Sequence, residues 1–568
     1  MPPHWLWVLL LYILVVVPSV FHAAFYKRHS RAALGWIAFI LTAPVVGGLC
    51  YFVFGLNRVR VSSRRRRSQA SAALSALEGV ASEERARREH GAESLAGFSH
   101  AERAMVRVGH ALTDSPLVGG NSVWPLRNGE EAYPVMLAAI EHAKERVWLT
   151  SYIFDVDPPG LIFVDALIRA HRRGVDVRVL VDGVGQLSGV GVSRSGGRVR
   201  IEALPVSARL KAAGVPVVRF LPPRVLPPSW YINMRNHRKV LVVDGRVAFS
   251  GGMNIGGRHL VDDPWNTTPV QDLHFRLKGP IVRDLEWLFL HDWAFAVHHE
   301  PRRRSSLPQV TLHPQLSWPP EDDRVSSEDE IALELEERRR IIGDALRIPA
   351  SETRRDRVAL SGLSPSRAHY LISRLSELPR VDREVGDAWC RLVPDGPDES
   401  LNRLEMLIAG VVGASESSVL LVTPYFLPTD MLTSAFAAAA LRGVEVRVLI
   451  PMKSNEPLVE HAMYRMVHWL LQRGVKVRRV PAPFMHTKLL VVDDRYVQMG
   501  TTNIDPRSLR LNFEHVVEIY SAALASQLLA HYDDVWVRAE ELTEVTIAAR
   551  PWYVRGADAF CWLFSPYL

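Results

Sequence analysis

Lysine is scarce in this chain and cysteine scarcer. Of the 68 Lys and Arg residues only eight are Lys, at 27, 144, 211, 239, 278, 453, 476 and 488. Arg therefore serves wherever a diffuse positive charge suffices, and a position that keeps Lys calls for a compact ammonium rather than a planar fork. The three cysteines, Cys50, Cys390 and Cys561, are far apart and odd in number. That excludes a disulfide framework and any thiolate metal site of recognisable spacing. Charge is also missing in blocks: residues 5–26 and 32–57 contain no Lys, Arg, Asp or Glu. Each is long enough to cross the hydrocarbon core of a membrane as a helix.

The chain has 568 residues, too many for one core, and 48 % of them are hydrophobic, as expected of a multidomain globular protein with a small membrane share. The net charge of +7 favours anionic partners, lipid head groups or nucleic acid, without choosing between them. The first apolar segment lacks a basic leader and is closely followed by the second, which argues against a cleaved signal peptide. Residues 1–60 are expected to form a two-helix transmembrane hairpin joined by KRHSR at 27–31. Arg58, Arg60 and Arg64 to Arg67 follow the second segment, and the positive-inside bias puts the main body in the cytoplasm. The Arg run is suited both to fixing topology and to holding anionic head groups.

Beyond a helical approach segment at 61–115 the sequence repeats. RAHRRGVDVRVLV in the first half returns as AALRGVEVRVLI in the second, each preceded by helix, strand and helix patterns. NHRKVLVVDGRVAFSGGMN at 236–254 returns as MHTKLLVVDDRYVQMGTTN at 485–503. Alternating helices and strands predict an α/β fold of two like domains, 116–300 and 400–568. The turn-rich, charged segment 301–399 reads as a linker or insertion with no assigned chemistry, holding helical pieces near 328–346 and 366–378.

Both copies of the second repeat contain H-x-K-x-x-x-x-D: His237, Lys239 and Asp244, then His486, Lys488 and Asp493. Residues two apart on a strand share a face, so each His and Lys point together. The motif groups Asp244 and Asp493 with these catalytic candidates. Seven residues of straight strand, however, put Asp244 roughly 23 Å from His237, so a role at the hairpin turn is expected of it. A turn at 244–245 sets Gly252 opposite His237 with Asn254 just past it, and by the same count Thr501 and Asn503 near His486. These are the candidate phosphate-binding residues, offering backbone N–H groups and amides to an anion. Carboxylates that orient the imidazoles must come from elsewhere, and Asp272 and Glu514 are the candidates.

Two His and two Lys around an anion pocket suit a phosphodiester. One neutral imidazole attacks phosphorus to give a phosphohistidine. The other donates a proton to the leaving alcohol and takes one from the incoming alcohol. Ammonium groups and amides offset the charge on the equatorial oxygens. No metal or cofactor is required. Indifferent choice between Lys and Arg would place Lys at both motif positions only roughly one to two per cent of the time, which supports a specific need for it there. A structural histidine beside a solvated lysine would account for one copy, but not readily for two in matching halves.

The paired motifs resemble those of the phospholipase D superfamily. The two apolar segments ending in Gly-Leu-Asn-Arg, the GGMNIG after the first motif and the GTTNIDPRSLRLNFE after the second are similar to bacterial cardiolipin synthases of that superfamily. The resemblance covers residues 1–60 and about 120–300 and 400–545. It implies two phospholipase D-like α/β domains forming one bilobal catalytic body, carried by a multi-pass hairpin in the bacterial cytoplasmic membrane. It implies transfer of a phosphatidyl group from one phosphatidylglycerol to another through a phosphatidyl-histidine, with release of glycerol. It suggests His237 as the nucleophile. Gly252 stands where many members have Ser, so hydroxyl help is absent there, and segments 61–115 and 301–399 are longer than the family implies. A hydrolase or transphosphatidylase on other phospholipids is the rival reading. A nuclease is disfavoured because the two spans would tether it away from nucleic acid, and a silent anionic-lipid scaffold because both His-Lys pairs are intact. The aromatic tail PWYVRGADAFCWLFSPYL suits either the membrane interface or packing on the body.

Overall fold

The computed structural model describes residues 4–27, 30–52, 95–187, 192–195, 198–201, 205–223, 234–298, 339–340, 363–377, 385–397, 399 and 402–565. The chain forms two compact units, Met1–Arg65 and Arg66–Leu568.

In the first unit α1 spans His4–Tyr26, α2 Ser30–Thr42 and α3 Pro44–Cys50. The second expected span is therefore not one helix. Ala43 leaves the helical region (φ −131°, ψ 72°) and Pro44, which cannot continue the α2 hydrogen-bond ladder, starts α3 instead. At 13 residues α2 is about 20 Å long, short of the roughly 30 Å hydrocarbon core. Among the described residues no helix is long and apolar enough to cross a membrane. Arg58, Arg60 and Arg64 to Arg67 lie outside the described residues, as do 61–94 of the approach segment. The remainder of that segment forms α4, His100–Leu112, started by a capping box between Ser99 and Glu102.

Among the described residues the second unit is built on a sheet of fifteen strands, with two small two-stranded sheets beside it. In chain order the fifteen are β1 Val118–Arg127, β2 Arg146–Ser151, β3 Asp176–Asp182, β4 Val217–Phe220, β5 Val240–Val243, β6 Val247–Gly251, β7 Leu273–Lys278 and β8 Val385–Asp395. The rest are β9 Ser418–Val422, β10 Glu445–Pro451, β11 Lys476–Val480, β12 Leu489–Val492, β13 Tyr496–Gly500, β14 Glu514–Tyr520 and β15 Glu540–Leu542. Their spatial order is β15-β11-β10-β9-β12-β13-β14-β8-β1-β7-β6-β5-β2-β3-β4. Read outward from the centre, the first half runs β1-β7-β6-β5-β2-β3-β4 and the second β8-β14-β13-β12-β9-β10-β11. The two paths have the same topology. They meet where β1 pairs antiparallel with β8.

That seam corrects the expectation of a linker up to residue 399. β8 is an inner strand, and Ala388, Cys390 and Leu392 are buried in a core shared by both halves. Arg391 hides the strand in the sequence, because it is fully buried, ion-paired with Glu518 at 2.6 Å and bonded to the carbonyl of Val106. Of the two expected helical pieces, 366–378 forms Pro365–Ser376. All but Arg339 and Arg340 of 328–346 lies outside the described residues.

Helices cover both faces of the sheet, so its inner strands are buried on both sides and read as continuous apolar runs. In β5, Leu241 and Val243 join the core of the first half, while Val240 and Val242 join the shared core. Gly174 and Gly443 adopt φ +91° and +93° directly after helices, the left-handed stop for which glycine is favoured. The tail forms helix Trp552–Leu563. It packs on helix Pro457–Leu471, with His461 bonded to Asp558 at 2.7 Å, while Trp552, Tyr553 and Phe560 stay exposed.

Candidate active site

Both H-x-K strands end in a turn set by the motif Asp. In the first, Val243 faces Val247, so the loop is Asp244, Gly245 and Arg246, one residue longer than expected. Asp244 and Gly245 take φ +52° and +68°. The Asp244 carboxylate accepts the backbone N–H groups of Lys144, Glu145 and Arg146 at 2.8–2.9 Å. Asp493 does the same for Glu416, Ser417 and Ser418 at 2.8–3.3 Å. Grouping Asp244 and Asp493 with the catalytic residues is thereby corrected: each carboxylate pins the start of the neighbouring strand, at the far end of the strand from its His.

The extra turn residue shifts the hairpin register by one. Val240 faces Ser250, which sets residue 253, not 252, opposite His237. In the second hairpin Val492 faces Tyr496, so 502 falls opposite His486. Thr501 sits instead at the other imidazole, its carbonyl 3.2 Å from His237 Nδ1.

The halves exchange their partners. The backbone N–H of His237 donates to the carbonyl of Phe513 (3.0 Å), and the N–H of His486 to that of Gln271 (2.8 Å). Phe513 precedes Glu514 and Gln271 precedes Asp272, so each His-bearing segment is laced to the run that carries the other half's carboxylate. His237 Nδ1 lies 3.0 Å from Glu514, and His486 Nδ1 lies 2.8 Å from Asp272. An Nδ1–H donated to a carboxylate fixes the tautomer and leaves the Nε2 lone pair for chemistry.

The carboxylates are seated differently. Glu514 accepts the Thr501 hydroxyl (2.6 Å) and the Asn512 amide (3.1 Å). Asp272 accepts its own neighbour's N–H, from Leu273 at 2.8 Å. It lies so close to Gly252 that a Cβ there would fall 2.3 Å from Oδ1. Gly252 thus makes room for Asp272, whereas Thr501, at the same position in the second half, hydrogen-bonds Glu514.

Lys239 and Lys488 each donate to the carbonyl of their own His, at 2.7 and 2.5 Å, and both are buried. Burial lowers the Lys239 ammonium to about 7 and the Lys488 ammonium to about 8. Burial, with Lys488 beside it, pushes His486 down to about 3. Burial also lowers His237, against the pull of Glu514. Burial pushes the Asp272 carboxyl up, but the His486 hydrogen bond and the positive groups around it bring it down to about 2. Glu514 is likewise held below the usual range, its burial outweighed by His237 and Lys239. Both carboxylates are ionised and both imidazoles neutral near pH 7.

Asn254 and Asn503 are buried beside the site. Asn254 Oδ1 accepts the N–H of Ile153, leaving the amide NH2 as the end an anion can meet. Sequence reasoning missed three neighbours. Tyr152 presents its ring to His237, with centroids 5.0 Å apart. Arg238, the middle residue of the first motif, is buried and bonds Asp292, the Glu514 carbonyl and the Asp395 carbonyl. Ser250 bridges the Lys239 carbonyl (2.9 Å) and His515 Nε2 (2.7 Å). A charged residue between the apolar-run start and its His was the only sequence signal for Arg238. The other two carried none.

Residues 136–293 and 409–536 match the family described as cardiolipin synthase, PLD-like domain. A cardiolipin synthase of Alkalihalophilus pseudofirmus is 28 % identical over 550 residues, covering 96 % of this chain and 90 % of the relative. A probable cardiolipin synthase of Bacillus subtilis is 26 % identical over 566 residues, covering 99 % and 93 %. Among solved structures, the phosphatidylserine synthase of Haemophilus influenzae shares the fold, with TM-score 0.52 and 14 % identity, over 83 % of this chain and all of that one.

Proposed function

Because the chain belongs to the cardiolipin synthase, PLD-like domain family, we propose that it joins two phosphatidylglycerol molecules into cardiolipin and releases glycerol. The family makes the chain a phosphatidyltransferase. The observation that carries the finer reading is the exchange: two neutral imidazoles, each pinned through Nδ1 to the other half's carboxylate, beside two buried lysines.

In the first step His237 Nε2 attacks phosphorus of the donor, the N–P bond forms, and the bond from phosphorus to the glycerol oxygen breaks. His486, protonated once an anionic phosphodiester offsets its burial and the Lys488 charge, gives its Nε2 proton to that oxygen. In the second step His486 takes the proton from a glycerol hydroxyl of the second lipid. That oxygen attacks phosphorus and the N–P bond breaks, restoring both imidazoles. Lys239, Lys488 and the Asn254 and Asn503 amides neutralise the equatorial oxygens as charge builds. The assignment of His237 as nucleophile rests on the family resemblance, since each imidazole is held through Nδ1 by a carboxylate of the other half.

The first unit is proposed to hold the catalytic body at the cytoplasmic face of the bacterial inner membrane. Its apolar side chains point outward: Leu14, Phe21, Phe25, Leu34, Leu41, Val46 and Leu49 are each more than half exposed. Water makes this unfavourable and lipid does not. Val16, Ala23, Ile40 and Tyr51 form its small interior.

The test is purified full-length protein in phosphatidylglycerol vesicles carrying labelled lipid. Cardiolipin and glycerol in equal amounts support the reading. Phosphatidic acid alone would instead establish a hydrolase. Rapid quenching should trap a phosphatidyl adduct on His237, and an adduct on His486 would reverse the assignment.

A further inference from the structure

The halves match closely enough to be compared position by position. Asn254 and Asn503 are each followed four residues later by an arginine, Arg258 and Arg507. The segments that face them also correspond. Ser151 and Thr423 donate their hydroxyls to the carbonyls of Ile153 and Tyr425. Asp155 N–H donates to the Ile255 carbonyl (2.9 Å), as Leu427 N–H does to the Ile504 carbonyl (2.7 Å). Asp155 and Leu427 are therefore the same position in the two halves.

They carry different chemistry. The Asp155 carboxylate pairs with Arg258 at 3.1 Å and neutralises it. Leu427 is buried and apolar and offers Arg507 nothing. The carboxylate nearest to Arg507 in sequence, Asp505, is occupied by the backbone N–H (2.7 Å) and hydroxyl (3.1 Å) of Ser508. Arg507 is half-buried and forms no ion pair among the described residues. It lies on the loop between Thr501 and Glu514, both of which contact His237. One half of the site thus has an arginine paired with a carboxylate, and the other has an arginine with no ion pair among the described residues, on the loop between two residues that contact the nucleophile candidate.

The proposed reaction needs such an inequality. It brings two anionic lipids together, yet the paired His, Lys and Asn residues serve only the phosphate that is transferred. The second lipid presents its own phosphate one glycerol unit away from the hydroxyl that attacks. A half-buried guanidinium whose fork meets no partner among the described residues suits a phosphodiester, which it can hold by two parallel charge-assisted bonds. We propose that Arg507 binds the phosphate of the acceptor lipid and so selects an anionic phospholipid over water or a neutral alcohol, an inference that rests on the transfer reaction above.

The experiment supplies full-length enzyme with labelled phosphatidylglycerol vesicles and ethanol together, and reads the ratio of cardiolipin to phosphatidylethanol in wild type, Arg507→Gln and Arg507→Lys. Both products draw on the same phosphatidyl-enzyme, so the ratio isolates acceptor choice from folding and from donor chemistry. A fall of tenfold or more in Arg507→Gln, with a raised acceptor KM and partial recovery in Arg507→Lys, is expected. An unchanged ratio, whether or not total turnover drops, overturns the inference. A wild type that makes phosphatidylethanol but no cardiolipin overturns the transfer reading itself, and the inference with it.

Discussion

His486 meets Asp272 at 2.8 Å across 214 residues of chain. Its partner in the repeat, His237, meets Glu514 across 277. Each imidazole is thus held at Nδ1 by the carboxylate of the opposite half. Removing either carboxylate while keeping its shape should therefore disable the imidazole of the opposite half. Glu514→Gln and Asp272→Asn are each expected to lower kcat about 10–100-fold, as for other groups that orient a working histidine. The distinguishing readout is adduct trapping. Glu514→Gln should chiefly slow adduct formation on His237, whereas Asp272→Asn should also slow transfer of the adduct to the second lipid, the step in which His486 serves as base. Equal effects on both steps in both variants would count against separate roles.

Gly252 and Asp272 form a size-matched pair, as do Thr501 and Glu514. Gly252→Thr, which imitates the second half, should displace the Asp272 carboxylate and cut activity at least tenfold, because the new Cβ would begin 2.3 Å from Oδ1. Adding Asp272→Glu to it should recover much of the loss. Kinetics of the two single variants and the double variant measure the coupling, and additive effects would refute it.

Lys239 at about 7 and Lys488 at about 8 stand below their unfolded value near 10.5, so the empty site sheds their protons as pH rises through that range. A bound anion favours the ammonium and raises both values. Binding above pH 7 must then take up protons, and affinity must fall as pH rises. Calorimetry of inorganic phosphate binding at pH 8, in buffers of different ionisation enthalpy, should show net uptake. Zero uptake contradicts the assignment.

Asp244 holds three backbone N–H groups at a turn. Asp244→Ala should cost about 1–3 kcal/mol of stability and leave turnover per folded molecule within a few-fold of wild type. Denaturant unfolding alongside kinetics separates the two. A turnover loss of a hundredfold with unchanged stability would return Asp244 to the reaction.

Arg238 and Asp292 are both buried. Arg238→Met strands the Asp292 carboxylate and should cost about 3–5 kcal/mol, whereas Arg238→Met with Asp292→Leu should regain most of it. Thermal unfolding of the two variants decides this.

The His, Lys and Asn positions could be read from the sequence because they recur at fixed spacing on strands, where period two decides which side chains share a face. Asp272 and Glu514 stood out as carboxylates on β-like runs after each hairpin, but which imidazole each would meet could not be read, since exchange between halves is a long-range pairing with no local period. The register slipped by one because Asp244 is locked in the left-handed region by N–H groups a hundred residues away, which local turn preferences do not reveal. β8 went unseen because Arg391 looks like surface until Glu518 is placed beside it. The break between α2 and α3 was written in Pro44, and hydropathy alone overrode it.

Suppose the two halves were identical copies on separate chains. The exchanged carboxylates, the laced His segments and the seam between β1 and β8 would then be the interface of a symmetric dimer, and every change would strike both copies alike. Joining the copies in one chain breaks that bond. A glycine can face an aspartate on one side while a threonine holds a glutamate on the other, and an arginine can be silenced in one copy and left active in its twin. Covalent linkage is thus what permits a two-fold scaffold to treat its two lipids unequally.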